Sequence, residues 1–427
     1  MEITKSYKLG GQYDVIVCGG GPAGVCAAIA AARNGAKTLL VERNGALGGF
    51  WISGLLTWIA DIDSKSGLVE EIVENMKNFA EGRMEYRDRW YFAADTERTK
   101  LLFEKMCADA GADIRFYTQV TGVIKDGRNV KGIATESKSG AEYFTGKIII
   151  DATGDGDVGA LAGCRTELGD ENGHMQPASM IVQIAGVKNS DLEKLYGDNP
   201  GISQNACILK ELQRAGVEPS YIHPLMAPVS VENNLFAFMV NHEYGVNACD
   251  AKSLTKATMH AREEIYGYVN SLKSLGGMWK DIYISQSAPN IGVREGRRIR
   301  GRYYLTLEND LTVGREHYDG VCKVTYNMDI HPVKMNFELQ QVKKNHRVPV
   351  KPYEIPLRSL IAEDVEGLMM AGRCISGDFY SHGNFRVGGN ASKTGEAAGY
   401  AAAYSIKNGV SLEDTCKVIK SLMIKHS

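Results

Sequence analysis

Short apolar runs alternate with glycine-rich turns and small-residue segments at the start of the chain. The apolar run 15–18 passes through a glycine-rich turn into the alanine-rich segment 27–32, and a second apolar run follows at 38–41. Apolar runs of four residues are typical of buried strands, and alanine is the strongest helix former. The pattern therefore predicts a β-α-β unit.

The glycines in this unit predict a nucleotide site. Gly19, Gly21 and Gly24 form the pattern G-x-G-x-x-G, and Glu42 ends the second strand. The first glycine permits a tight turn, the second lets a pyrophosphate approach the backbone, and the third lets the helix lie close to the strand. An acid at the position of Glu42 suits a free ribose 2′-hydroxyl, so we expect FAD or NAD rather than NADP. A glycine turn without a ligand is the alternative.

The middle of the chain changes in style. Helical periodicity at 68–80 and 97–110 is followed by strand-like pieces at 113–117, 120–125, 130–136, 142–145 and 147–151. Beyond about residue 165, alternating runs at 180–184 and 234–240 mix with a helical segment at 254–275. An apolar run that ends in glycine, 367–373, and an alanine- and glycine-rich helix from about residue 391 then return to the first style.

This order predicts an α/β fold with two domains. A Rossmann-like nucleotide-binding domain, with a parallel sheet and a small antiparallel meander, is discontinuous and comprises residues 1–165 and 353–427. An inserted α+β domain, residues 166–352, is expected to form a cap that contacts the substrate. No second G-x-G-x-x-G unit follows, so a second dinucleotide has no dedicated site.

Charge and cysteine usage narrow the class of protein. The net charge of -2 gives no general attraction to nucleic acid or to acidic membranes. No run of about 18 apolar residues is present, and the first residues lack the apolar core of a signal peptide. The nine cysteines form no C-x-x-C pair, which argues against a zinc or iron–sulfur site. We expect a cytoplasmic protein with reduced thiols, no metal, and neither nucleic acid nor membrane as a partner.

Two polar segments leave their roles open. The segment 294–302 holds five arginines, which either form a solvated, ion-paired face or order the domain interface and meet an anionic ligand. The glycine-rich segment 381–390 is expected to be a loop that leads into the N-terminus of the last long helix, where a second electron-rich ligand edge would find a partial positive charge.

Taken together, the motifs resemble the FAD-dependent oxidoreductase family of the glutathione-reductase-type flavoproteins. The resemblance rests on the 19–42 fingerprint, the Gly48-Gly49 pair and the strand ends at 152–155 and 367–372. The narrower likeness to the FAD-dependent oxidoreductase group rests on the segments 291–299, 329–331, 353–360 and 371–376.

The resemblance implies a set of FAD contacts. Val120 would meet the adenine through its backbone. This sequence has Arg373 at the position of the usual acid that binds the ribityl chain, and Asp378 would take over that contact. The helix after Asn390 would direct its positive end at the flavin N1–C2 edge. The full implied set is Gly19, Gly21, Pro22, Ala23, Gly24, Glu42, Arg43, Gly48, Gly49, Val120, Ala152, Gly154, Asp155, Gly372, Arg373, Asp378, Val387, Gly388 and Asn390.

The segment His382–Asn390 is also similar to a loop of succinate dehydrogenases and fumarate reductases, which implies that Arg386 contacts a substrate carboxylate. We expect hydride transfer between a small-molecule substrate and flavin N5, with a histidine as the general base. His382 is the first candidate and His331 the second. The alternatives are a flavin-dependent tRNA-modifying protein, an FAD-bound protein without catalysis and an NAD-dependent dehydrogenase. The electron acceptor stays unknown, and a homo-oligomer is open.

Overall fold

The structure, a computed structural model, describes residues 5–56, 58–79, 82–86, 89–93, 95–335 and 349–425. Its strands, numbered here in chain order, are β1 Lys8–Cys18, β2 Thr38–Val41, β3 Gly82–Tyr86, β4 Arg89–Ala93, β5 Asp113–Arg115, β6 Gln119–Asp126, β7 Asn129–Ser137, β8 Gly140–Asp151, β9 Thr166–Glu167, β10 Ile181–Ala185, β11 Leu225–Ser230, β12 Leu235–Met239, β13 Tyr283–Ser287, β14 Arg298–Ile299, β15 Gly320–Val324, β16 Tyr353–Pro356 and β17 Leu368–Met370.

Helices connect and cover these strands. The α-helices span Pro22–Arg33, Leu68–Lys77, Thr96–Ala110, Asp157–Leu161, Asn189–Gly197, Gln204–Arg214, Ala251–Ser274, Phe379–Phe385, Gly388–Asn408, Leu412–Thr415 and Ile419–Lys425. We call Pro22–Arg33 the first helix, Phe379–Phe385 the short helix and Gly388–Asn408 the glycine-rich helix. Single turns of 3₁₀ helix lie at Gly49–Trp51, Gly277–Trp279, Leu357–Leu360 and Gly372–Cys374, and a π turn lies at Leu307–Leu311.

The first sheet has the strand order β5-β2-β1-β8-β7-β6, and β17 also pairs with β8. The strands β5, β2, β1, β8 and β17 run parallel, whereas β6 and β7 form an antiparallel meander on the long strand β8. Parallel strands present their carboxyl ends at one edge, so the segments after β1, β2, β8 and β17 meet there. The mixed α/β architecture that the sequence predicted is confirmed.

The first helix and the glycine-rich helix pack on this sheet against each other. A Cβ atom at Gly395 would lie 2.0 Å from the carbonyl oxygen of Ala23, and one at Gly399 would lie 2.3 Å from that of Ala27. No side chain fits at these distances, so the glycines allow the two helix backbones to touch. The N-termini of both helices are thereby held near the same sheet edge.

A second sheet has the order β11-β12-β10-β13 and is antiparallel. Its apolar face, with the helices Gln204–Arg214 and Ala251–Ser274, builds a hydrophobic core that is separate from the core around the first sheet. The sequence predicted both the alternating runs and the long helix in this region, and the domain boundaries at 165 and 353 stay a prediction.

Two local predictions were wrong. The pieces 142–145 and 147–151 form the single strand β8, because Gly146 continues the ladder opposite Tyr13 of β1. The segment 381–390 is mostly helical, since Asp378 caps a short helix there by accepting a hydrogen bond from the Ser381 N–H at 2.7 Å.

In the part of the chain that the structure describes, no helix is long and apolar enough to cross a membrane. In the same residues, no group of three or more histidine, cysteine, aspartate or glutamate side chains is arranged to hold a metal ion. All nine cysteines are free thiols, and only Cys249 is exposed.

Candidate functional site

The first helix begins at the carboxyl end of β1 without a side-chain cap. Gly21 is its N-cap residue, and Pro22 occupies the first helical position, where a missing N–H costs nothing. A Cβ atom at Gly21 would have no neighbour within 4 Å, so the helix N-terminus faces open space. By contrast, a Cβ atom at Gly24 would lie 1.8 Å from the carbonyl oxygen of Gly19. Gly24 therefore serves close packing, whereas Gly21 leaves room for an anion at the N–H groups.

Glu42 stabilises this turn from the end of β2. It is buried, and its carboxylate accepts hydrogen bonds from the Gly20 N–H at 2.6 Å and from the Asn44 N–H at 2.8 Å. Hydrogen bonds to a charged group contribute about 1.5–3 kcal/mol each. Glu42 therefore shapes the glycine turn in addition to any contact with a ribose. The neighbouring Arg43 is exposed. The segment that contains Val120 is held beside Glu42, because the Thr118 N–H donates to the Glu42 carbonyl.

The predicted glycine pair lies against the first turn. The Gly48 N–H donates to the Gly20 carbonyl at 2.7 Å, and a Cβ atom at Gly49 would lie 2.8 Å from Cα of Gly21. Ala152, after β8, donates its N–H to the Cys18 carbonyl at 2.8 Å. Segments that are far apart in the sequence therefore line the same sheet edge.

Arg373 and Asp155 form a partly buried ion pair beside this edge. Arg373 Nη2 lies 2.9 Å from Asp155 Oδ1, while Arg373 Nη1 is buried and has no hydrogen-bond acceptor among the described residues. Gly154 lies directly beneath, since a Cβ atom there would be 2.7 Å from Arg373 Nη2. Asp378 instead accepts hydrogen bonds from the N–H groups of Ser381 and Leu307, so its predicted ribityl contact would have to share that carboxylate.

The glycine-rich helix presents a second uncapped N-terminus. Val387 is its N-cap residue and makes no side-chain cap, and Gly388 is partly exposed. Asn390 is buried, and its amide donates to the Asn384 carbonyl at 3.1 Å. Gly372 packs closely on the first helix, since a Cβ atom at Gly372 would lie 2.9 Å from the Ala23 Cβ atom. The Gly372 N–H donates to the Thr394 hydroxyl. The predicted residues 387–390 thus surround a helix start that can receive an electron-rich edge.

His382 lies in the short helix and is completely buried. Neither ring nitrogen makes a hydrogen bond of normal geometry within the described residues. Burial lowers the pKa of His382 well below its usual range, and the positive charges of Arg298, Arg386 and Arg373 act in the same direction. The ring is therefore neutral at neutral pH, with one donor and one acceptor to offer.

Arg386 ends the short helix and connects it to the segment 329–331. Its Nη2 donates to the Asp329 backbone carbonyl at 2.8 Å and to Asp329 Oδ2 at 3.0 Å. Its Nε is buried and has no acceptor among the described residues. His331 follows Asp329 closely, and its Nε2 lies 3.4 Å from Asp329 Oδ1. The structure thus brings Arg386 and His331 together around one carboxylate.

The sequence did not single out several polar residues that reach this place from the second sheet. His242 Nε2 lies 2.8 Å from His331 Nδ1, and the ring of Tyr221 stacks on His242 at 4.1 Å. Gln176 accepts the His331 N–H at 3.0 Å, and Ser179 contacts His242 Nδ1 at 3.0 Å. The polar run 241–244, directly after the apolar strand β12, was the available signal.

The five arginines of segment 294–302 divide into two groups. Arg297, Arg298, Arg300 and Arg302 form salt bridges with Asp157, Glu295, Glu167, Glu363, Glu366 and Glu413. Arg294 has no carboxylate within salt-bridge distance in the described ranges and donates to the Pro177 carbonyl and the Ser179 hydroxyl. Burial and the charge of Arg386 lower the pKa of Arg294 to about 10. Arg294 therefore remains a cation whose charge no carboxylate of the described residues neutralises, so it can attract an anion.

Residues 14–421 match the family described as FAD dependent oxidoreductase. The chain belongs to this family. This membership confirms the resemblance to FAD-dependent oxidoreductases that the motifs of the sequence carried. The residues present fit the cofactor. The helix start at Gly21 is open to a pyrophosphate. Buried side-chain nitrogens of Arg373 and His382 that have no hydrogen-bond partner among the described residues can bind polar atoms of the cofactor.

Curated relatives match parts of the chain. A digeranylgeranylglycerophospholipid reductase from Methanocella arvoryzae is 32% identical over 179 residues, which cover 37% of this chain and 43% of the relative. A tRNA uridine 5-carboxymethylaminomethyl modification enzyme from Alkaliphilus oremlandii is 32% identical over 158 residues, which cover 34% of this chain and 24% of the relative. The matches thus span less than half the length of these curated relatives.

A solved structure extends the likeness to nearly the whole chain. The geranylgeranyl bacteriochlorophyll reductase-like protein of Thermoplasma acidophilum has a TM-score of 0.54 at 16% identity, covering 97% of this chain and 84% of that one. At this identity the likeness shows a common fold.

Proposed function

We propose that this oxidoreductase transfers a hydride between a small anionic molecule and FAD. FAD, when bound, would supply the two-electron chemistry, with a substrate C–H bond as the source of the hydride and an external acceptor as the final destination of the electrons. The substrate loses a proton from a neighbouring O–H, N–H or C–H bond, and the chain must bind the anion and take that proton. The observation that carries the proposal is the joining of Arg386 and His331 beside the uncapped start of the glycine-rich helix.

We infer that residues 1–165 and 353–427 hold the cofactor, as in the glutathione-reductase-type flavoproteins, and that residues 166–352 cover the substrate. Two separate hydrophobic cores, one around each sheet, support this division. Gln176 and His242 come from the second region: Gln176 Oε1 accepts from the His331 N–H and from Arg386 Nη2, and His242 Nε2 lies 2.8 Å from His331 Nδ1. A site between two cores is a common place for substrates.

Arg386 is the proposed anion contact. Its guanidinium has one nitrogen engaged with Asp329 and a buried Nε without an acceptor among the described residues. Arg294, which lacks a carboxylate partner there, adds a second positive charge. The likeness of segment 382–390 to the succinate dehydrogenase loop also supports a carboxylate. A carboxylate can accept two parallel hydrogen bonds from one arginine, which fixes its orientation.

His331 is the proposed proton acceptor, and His382 is assigned a hydrogen bond to the cofactor. His382 is buried, its ring nitrogens have no hydrogen-bond partner among the described residues, and its pKa lies well below its usual range, so it would hold a proton poorly. Its two unpaired ring nitrogens suit a fixed polar ligand instead. His331 lies beside Asp329, whose carboxylate stabilises a proton on the ring.

The test is anaerobic reduction of the FAD-loaded protein by lactate, alanine and succinate, followed by absorbance, with fumarate added to dithionite-reduced protein for the reverse direction. We expect one of these carboxylates to react. His331→Gln should slow that reaction by about 10²–10⁴-fold at neutral pH while the flavin spectrum is kept. Arg386→Lys, which keeps the charge, should weaken substrate affinity, because the planar fork is lost.

A matched control is His174→Gln, since His174 is exposed and forms its ion pair on a surface turn. Normal reduction rates in both His331→Gln and Arg386→Lys would refute the proposed roles. Reaction only with uncharged molecules would refute the substrate class.

The second candidate is tRNA modification, which the match to the Alkaliphilus oremlandii enzyme favours. The net charge of -2 speaks against it, because nucleic-acid binding rests on phosphate neutralisation. Salt-dependent binding of unmodified tRNA by the FAD-loaded protein, without reaction of any small anion, would favour the tRNA function.

A further inference from the structure

Two histidines from different parts of the chain form one hydrogen-bonded pair. His242 lies shortly after strand β12 of the second sheet, separated from it by Val240 and Asn241, and His331 lies in segment 329–331. That segment is fixed to the short helix, because the Asp329 N–H donates to the Gly383 carbonyl at 3.1 Å. His242 Nε2 and His331 Nδ1 are 2.8 Å apart, and both rings are buried. The pair therefore joins the second sheet to the helix that carries Arg386.

The contacts of His242 decide where its proton lies. Its Nδ1 is 2.7 Å from the Asn241 backbone carbonyl, which can only accept a hydrogen bond. Nδ1 must therefore carry the hydrogen, and in the neutral ring Nε2 is then the acceptor. The Ser179 hydroxyl, 3.0 Å from the same Nδ1, is compatible with this state because its oxygen also accepts.

This assignment passes to the second ring. Because His242 Nε2 accepts, His331 Nδ1 must donate, and the lone pair of neutral His331 then lies on Nε2. That nitrogen is 3.4 Å from Asp329 Oδ1, so a proton added there would lie beside a carboxylate. His331 can therefore gain a proton at Nε2 without a change of ring orientation or tautomer.

We propose that His242 is a positioning residue that holds His331 in the Nδ1-protonated form, so that Nε2 of His331 takes up the substrate proton. The inference rests on the proposed function for the identity of that proton. This step is a proton transfer without oxidation or reduction: the substrate bond to hydrogen breaks, its electron pair stays with the substrate, and the Nε2 lone pair of His331 forms the new N–H bond. His242 acts through His331.

The charged and titratable groups around His331 come from several elements. Asp329 lies on its own segment and is held by Arg386 from the short helix. From the second sheet come His242 and the Tyr221 ring, whose centroid is 6.0 Å from that of His331. Arg294 reaches the group through Ser179. Asp329 favours the protonated ring, whereas the two arginines oppose it, and His242 favours it through a charge-assisted hydrogen bond.

The test uses full-length protein labelled with ¹⁵N at histidine, with and without FAD, and long-range ¹H–¹⁵N NMR, which distinguishes the two imidazole tautomers. The signals of His331 are assigned by their loss in His331→Gln. We expect the Nδ1–H tautomer at His331 in the unmodified protein. In His242→Leu the acceptor is gone, so the Nε2–H tautomer should grow and the titration midpoint of His331 should fall by about one pH unit.

His242→Gln provides the rescue, because its amide oxygen can accept from His331 Nδ1, and the tautomer and midpoint should return toward those of the unmodified protein. His174→Leu is the control and should change neither. The flavin absorbance of each loaded variant reports that the fold is kept. An Nε2–H tautomer in the unmodified protein, or equal titrations in His242→Leu and the unmodified protein, would overturn the inference.

The proposed function fails in a different way. If the tautomer shifts in His242→Leu but His331→Gln leaves the reduction of FAD by the reactive anion unchanged, His242 does position His331, and the role of His331 in catalysis is refuted. Slower reduction in both variants, together with the tautomer shift and rescue by glutamine, supports both statements.

Discussion

The substitution Gly21→Ala should separate cofactor binding from folding. Gly21 has φ -68° and ψ 179°, a conformation that alanine adopts without strain, and its Cβ would have no neighbour within 4 Å. Alanine restricts the unfolded chain, which stabilises the fold by about 0.4–1 kcal/mol, but it is a poorer N-cap residue by a similar amount. The two terms nearly cancel, so the free energy of unfolding of the apoprotein should change by less than about 1 kcal/mol.

FAD binding should respond very differently. The added methyl group projects into the space before the helix N-terminus and pushes a phosphate away from at least one backbone N–H. A hydrogen bond to a charged group is worth about 1.5–3 kcal/mol, so the dissociation constant of FAD should rise by roughly 10- to 100-fold.

The assay pairs two measurements on apoprotein prepared by acid or chaotrope extraction. Thermal unfolding reports the fold, and quenching of FAD fluorescence reports affinity. Gly24→Ala is the matched control: its Cβ would overlap the Gly19 carbonyl at 1.8 Å, so the apoprotein itself should be strongly destabilised. Unchanged FAD affinity in a stable Gly21→Ala protein would refute the placement of the pyrophosphate at this helix.

Three further substitutions follow from buried groups. Glu42→Ala leaves the N–H groups of Gly20 and Asn44 without their acceptor, so both the melting temperature of the apoprotein and FAD affinity should fall, by about 10- to 100-fold for the latter in titration. Burial lowers the pKa of His382, so its contribution to stability is present above the ordinary pKa of 6.5 and is lost as pH falls. Between pH 7 and 5, the free energy of unfolding in urea should therefore fall less for His382→Leu than for the unmodified protein. Burial raises the pKa of Asp151 from 3.8 to about 6, so its contribution to stability is full below pH 3.8 and is lost as pH rises through 6. Asp151→Asn should therefore flatten the decline in the free energy of unfolding between pH 4 and 7. An unchanged dependence on pH would contradict this.

The β-α-β unit around the glycine turn could be predicted from the sequence because its signals are local. The turn from β1 into the first helix lies within a few residues, and each glycine has a steric reason that is visible in the spacing. The same holds for Glu42, which follows a four-residue apolar strand. Local propensity, turn chemistry and the apolar pattern all agree there, which makes such segments predictable.

The other half of the site depends on contacts between distant segments. Gln176, His242, Arg294 and His331 meet only after the second sheet has formed and segment 329–331 has docked against both it and the short helix. His331 and Arg294 were singled out from the sequence, but nothing in it indicates that they meet, and Gln176 and His242 do not stand out by spacing. The short helix was expected to be a loop, because glycine and asparagine disfavour helices. The N-cap by Asp378 outweighs that preference, so a helix forms there.

The first sheet also has a consequence for synthesis of the chain. Its central strand β8 pairs with β17, and the first helix packs along the glycine-rich helix, so residues near position 20 reach their final contacts only through residues beyond position 367. A nascent chain that has reached residue 360 already contains the whole second sheet with its core, but exposes the alanine-rich face of the first helix. We therefore expect the second core to be assembled before the first, although its residues are made later than those of β1. The order of maturation is thus set by topology, and FAD should be captured only after the glycine-rich helix has emerged from the ribosome.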